Sequence, residues 1–88
     1  MMITNIENFR KKLLFRSTHR GTKEMDLLLG GFFKENQNSL SENELLEFEK
    51  ILEFTDKSLS DWLIFEKPNN DLTNFLISKK IKDFKIKP

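Results

Sequence analysis

The stretch RSTHRGTKEMD, Arg16 to Asp26, gathers the residue types in this chain that could recognise or transform something. Arg20 carries a planar donor fork suited to a carboxylate or to carbonyls. Gly21 has no side chain, so a second backbone can approach it closely. Glu24 offers an acceptor beside the arginine, Asp26 extends the same rim, and His19 is the only histidine. A plainer reading is also open. Gly21 at positive φ would cap the end of a helix, Arg20 would be an exposed basic residue, and Glu24 would favour the positive start of the next helix. That reading accounts for the glycine but gives no reason for the particular arginine and glutamate.

The elements that must position these residues are helical. Thr4 and Glu7 have capping-box spacing, and Ile6, Phe9 and Leu13 follow one helical face until the pattern fails at Ser17 to Gly21. A second helix is predicted from about Lys23 to Lys34, with Met25, Leu28, Leu29, Phe32 and Phe33 as its buried stripe. Gly30 and Gly31 lie inside it, so it bends there or another element packs closely. Ser41 and Glu44 form a capping box, flanked by the Leu40–Leu45 staple. They open a third helix with Leu45, Phe48, Ile51 and Leu52 inward, ending near Thr55. A fourth helix is expected from Ser58, with Asp61 three residues on and Leu59, Trp62, Leu63 and Phe65 packing inward, stopped by Pro68. The turn PNND starts a fifth, with Leu72, Phe75 and Leu76 as its stripe. The tail, Lys79 to Pro88, is left as frayed chain or an extended arm. The expectation is an all-α, compact bundle in a single small domain, residues 1–88.

Composition excludes much. With 88 residues the chain has little capacity for a deep cofactor pocket as well as a core. With no cysteine and one histidine it has no thiolate or multi-histidine metal site and no cysteine nucleophile. Gly30–Gly31 lacks the spacing of a phosphate loop, and His19 lies among cations in a loop, a poor setting for a catalytic base. No apolar run approaches the roughly 20 residues that span a bilayer. The N-terminus lacks a secretory layout, and a cytoplasmic protein is expected.

Formal net charge is only +1 but unevenly spread. Residues 10–23 hold six cations and no acid, residues 42–56 six acids against Lys50, and the tail five lysines against Asp83. Such blocks can steer a charged partner or be solvated helix faces. A nucleic-acid module is one alternative, disfavoured because EMDLLLGGFF is an apolar and acidic candidate for a recognition helix. A generic protein-interaction module is another.

HRGTKEMDLLLGGFF, LSENELLEFEKILEFTDKSLSDWL and the later KP, spanning about Arg16 to Lys80, resemble the succinate dehydrogenase assembly factor family of SdhE type. The hallmark Arg-Gly-x-x-Glu, an apolar residue and Asp is met by Arg20, Gly21, Glu24, Met25 and Asp26. Phe32, Phe33, Asp56 and Trp62 match further family positions. The resemblance implies a five-helix bundle that is not an enzyme and holds no cofactor of its own. It implies binding to the flavoprotein subunit of succinate dehydrogenase, and often that of fumarate reductase. That client attaches FAD to itself through its own histidine while the factor holds it in a competent conformation. It implies client contact by Arg20, Gly21, Glu24 and Asp26, joined by His19 where the family often has a more strongly basic residue. Neither membrane insertion nor nucleic-acid binding is expected, and the free protein is expected to be a monomer. The family's glycine-containing turn before KP is replaced here by FEKP, and residues 81–88, a basic tail, match nothing firm.

Overall fold

A computed structural model describes residues 5–86. Helix α1 (Ile6–Thr18) is capped by Asn5, whose side chain accepts from the Asn8 N–H. The predicted cap at Thr4 lies outside the described residues. After a short turn, α2 (Lys23–Met25) runs without a break through a π-helical turn, Asp26–Gly30, into α3 (Gly31–Asn36). The Gly31 N–H is shared between the Leu27 and Leu28 carbonyls where the winding changes. The predicted second helix is therefore one rod with an inserted residue, a usual cause of local bending. Gly30 supplies the close approach as well. A Cβ there would stand 2.7 Å from Thr18 Cγ2 and 3.1 Å from the Ser17 carbonyl, so the end of α1 could not seat against it.

Helix α4 (Glu42–Leu52) begins with the anticipated capping box: Glu44 N–H donates to Ser41 Oγ at 3.1 Å, and Ser41 N–H to Glu44 Oε1 at 2.9 Å. It ends at Leu52, earlier than expected. Helix α5 (Asp56–Leu63) starts two residues before the predicted Ser58 because Thr55 is its cap, accepting from the Ser58 N–H at 3.1 Å. Asp61 therefore pairs with Lys57 along the helix rather than serving its N-terminus. The helix ends well before Pro68. Its reversal runs through Glu66 at φ 55 and a Lys67 N–H bond to the Asp61 carbonyl, which leaves Phe65 exposed rather than buried. A single turn, α6 (Asn70–Thr73), is capped by Asn69. Helix α7 (Ser78–Ile86) then replaces the expected arm. The break between α6 and α7 buries Leu72 and Ile77 and leaves Leu76 outside its predicted stripe.

Five helical rods and the α6 turn thus make an all-α fold with no strand among the described residues. Their inward faces form one cluster. Phe48 of α4 stacks on Phe33 at 4.9 Å between centroids and lies 6.0 Å from Phe32. Phe84 of α7 meets Phe32 edge-on at 5.9 Å. These are favourable aromatic geometries. Trp62 is buried and satisfies its N–H on Thr73 Oγ1.

Candidate functional site

The segment between α1 and α2 carries the candidate residues, and three separate parts of the fold hold it. α1 ends because Ser17 and Thr18 turn their hydroxyls onto the Leu14 carbonyl, a local competition with the backbone ladder. Its C-cap is His19, not Gly21, and no glycine among the described residues has positive φ. The left-handed cap expected at Gly21 is therefore not used. The His19 ring stacks on Phe15, one turn back, at 4.0 Å between centroids. Its Nδ1 lies 2.8 Å from the Phe15 carbonyl. That oxygen can only accept, so a bond there needs a proton on Nδ1.

Arg20 is turned inward. Its side chain is 12% exposed. Nε donates to Asp56 Oδ1 at 2.8 Å, Nη1 to the Leu52 carbonyl at 2.5 Å and Nη2 to the Phe54 carbonyl at 2.7 Å. The last carbonyls of a helix have no partner within it, and a cation there opposes the negative end of the helix dipole. Arg20 supplies both to the end of α4. Asp56, first residue of α5, has the complementary position at a positive helix start. Its second oxygen accepts the Gly21 N–H at 2.8 Å. That bond explains the glycine: a Cβ at position 21 would lie 2.6 Å from Asp56 Oδ2.

Asp26 completes the turn from the other side, accepting the Arg20 N–H at 2.6 Å. Thr22 caps α2 by accepting from the Met25 N–H. Met25 is fully buried, whereas Glu24, one residue earlier, is exposed and makes no ion pair among the described residues. The sequence-predicted set thus divides. Arg20, Gly21 and Asp26 share one hydrogen-bond network, His19 flanks it on Phe15, and Glu24 stands outside it facing solvent.

Phe15, Arg16, His19, Arg20, Gly21 and Asp56 line an open depression of about 350 Å³. Phe15 is an exposed aromatic with no place on the buried stripe of α1. Its departure from the Ile6–Phe9–Leu13 spacing is the sequence signal that could have marked it. Asp56 has no local signal, since its partners lie 35 and 36 residues away.

Parts of the charge blocks pair with one another within the fold. Lys12 and Arg16 approach Glu49 at 3.3 and 3.9 Å, Arg20 meets Asp56, and Lys80 reaches Glu44 at 2.6 Å. Among the described residues there is no cluster of three or more metal-binding side chains. No helix of the described residues is long and apolar enough to cross a membrane.

Residues 11–85 match the model of a protein family described as the flavinator of succinate dehydrogenase. The chain is 44% identical over 64 residues to the FAD assembly factor SdhE of Acetobacter pasteurianus, an alignment covering 73% of this chain and 59% of that protein. It is 40% identical over 62 residues to the mitochondrial succinate dehydrogenase assembly factor 2 of Dictyostelium discoideum, covering 70% and 44%. With the FAD assembly factor SdhE of Legionella pneumophila it shares 37% over 68 residues, covering 76% and 86%. The alignments thus cover about half the length of the first two relatives and most of the third.

Proposed function

The chain belongs to the family of succinate dehydrogenase flavinators and assembly factors, and from that premise we propose that it promotes covalent FAD attachment to the flavoprotein subunit of succinate dehydrogenase. The family is one of assembly factors rather than catalysts, so the reacting groups and the FAD belong to the client. The factor binds the flavoprotein subunit and stabilises a conformation competent for attachment. The flavoprotein of fumarate reductase is the second client to test.

The docking surface is the turn that displays Glu24, a turn built by His19, Arg20, Gly21 and Asp26. The observation that carries this reading is Glu24: a carboxylate of the family hallmark, exposed, unpaired among the described residues, and placed by a turn that is otherwise fastened on every side. An exposed charge on a turn whose Arg20 and Gly21 line a concave surface suits recognition by complementary charge. Three of the six cations that a nucleic-acid reading would assign to phosphates, Lys12, Arg16 and Arg20, are instead directed at Glu49 and Asp56.

The test is covalent flavin in the cognate flavoprotein subunit, read as in-gel fluorescence after denaturation, with FAD and dicarboxylate supplied. Wild-type protein is expected to stimulate attachment and Glu24→Ala to lose that stimulation while remaining folded. Equal stimulation by both would move the docking surface elsewhere. No stimulation by wild type would refute the assembly role.

A further inference from the structure

We propose that Asp56 is a positioning residue for the docking surface, and that Arg20 acts through Asp56 and the end of α4 rather than by touching the client. The proposal rests on the reading that the Glu24 surface docks the flavoprotein subunit.

Geometry separates the two roles. A contact arginine keeps donors in solvent for its partner. Arg20 instead has a side chain only 12% exposed and commits three of its five N–H donors, one from each guanidinium nitrogen, to acceptors within this chain; those acceptors belong to the corner where α4 ends and α5 begins. Lysine could not reproduce this, because a point ammonium lacks the planar fork that reaches one carboxylate and two carbonyls together. Asp56 links that corner to the turn, with one oxygen on the Arg20 side chain and the other on the Gly21 backbone. Asp26 holds the Arg20 backbone from the far side. Residues 20 and 21 are therefore fixed by both side-chain and main-chain bonds, and α2 starts only two residues later. The direction in which α2 leaves the turn sets where Glu24 sits relative to the depression beside Phe15 and His19. Holding it in advance removes an ordering cost that binding would otherwise carry.

The experiment measures affinity of the full chain for the cognate flavoprotein subunit by titration calorimetry. The temperature is low enough that circular dichroism shows every variant fully folded. The variants are Asp56→Asn, Arg20→Lys, Glu24→Ala, and the doubles Asp56→Asn/Arg20→Lys and Asp56→Asn/Glu24→Ala. Losing one charge-assisted bond that orders the turn is expected to weaken binding about tenfold for either Asp56→Asn or Arg20→Lys. Their double should be no weaker than the worse single, because both break one device. Glu24→Ala should lose much of its effect in the Asp56→Asn background, where the carboxylate is no longer held in place.

Folded fraction does not enter this affinity, so a purely stabilising role for Asp56 predicts an unchanged Kd and would overturn the proposal. Additive losses in the Asp56/Arg20 double would show that Arg20 itself contacts the client, also overturning it. If Arg20→Lys does not fold, the Asp56→Asn single and its double with Glu24→Ala decide the matter alone. If Glu24→Ala binds as wild type does while Asp56→Asn is weakened, the docking assignment fails, and the proposal with it.

Discussion

Asp56 and Glu47 invite comparison. Both come from the acidic block of residues 42–56, and each receives two donors from a segment arriving from elsewhere in the chain. Asp56 takes the Arg20 side chain and the Gly21 N–H. Glu47 takes the N–H groups of Leu76 and Ile77, at 3.2 and 3.1 Å, just ahead of α7. Glu47 thereby satisfies backbone donors that a helix start leaves free and places a negative charge at its positive end. The region it fastens buries Ile77 and Ile81. Asp56 fastens a segment that borders an open depression and displays Glu24. The chemistry of anchoring is the same at both ends; what differs is that the residues after the Glu47 anchor pack Ile77 and Ile81 into the core, whereas those after the Asp56 anchor leave Glu24 in solvent.

The strongest way to break this comparison is Gly21→Ala. The new methyl would press on Asp56 Oδ2, the oxygen that accepts the Gly21 N–H, and the carboxylate must shift to admit it, at an expected loss of about 1–2 kcal/mol. Urea denaturation reads it, and a neutral result would mean that Asp56 is not a latch. Glu47→Ala should cost about 1 kcal/mol, in the range of a lost helix cap. Hydrogen exchange in α7 should rise first, and client affinity should not change. A loss of affinity would show that the two ends are not functionally distinct.

Glu66→Gly works in the opposite direction. Glu66 is the one non-glycine residue with positive φ among those described, and relieving it should stabilise the chain by about 0.5–1 kcal/mol. The smallest effect concerns Glu44. The hydrogen bond from Lys80 holds its carboxyl below the usual value of 4.5, with Ser41 contributing and partial burial opposing. A folded-state value below the unfolded one stabilises above pH 4.5, and that contribution is lost as pH falls through the folded value. Lys80→Ala should therefore remove a few tenths of a kcal/mol near neutral pH and flatten the acid limb of a stability-versus-pH curve.

Local signals were legible where donor, acceptor and apolar neighbour lie within one turn. The Ser41–Glu44 box and the stripe of Leu45, Phe48, Ile51 and Leu52 were readable for that reason, as was the Gly30 anomaly, which the π-turn and the Thr18 contact now explain. The start of α5 was misplaced because Thr55 caps without an acid three residues on, while Ser58 with Asp61 imitated a box. The tail resisted because its alternating lysines resemble an unpaired arm until Glu47 and Lys80 dock it on α4. In the candidate site, the residues of RGTKEMD were conspicuous but their division of labour was not. Arginine and glutamate both read as charges available to a partner, whereas Arg20 is bonded within the fold and only Glu24 stands exposed.

Residue order by itself determined helical periodicity, the nearby caps and the presence of the Arg20–Asp26 motif, since these depend on groups a few positions apart along one chain. Tertiary structure alone decided that Arg20 faces inward, that Asp56 is its counterion, that Gly21 lies against a carboxylate rather than in a left-handed turn, and that Lys12, Arg16 and Lys80 pair with acids of α4. The physical reason is separation. These bonds join groups 32 to 36 residues apart for Arg20 and Gly21, and 37 for Lys12 with Glu49. Packing of the helices fixes which of many equivalent charges end within hydrogen-bonding distance.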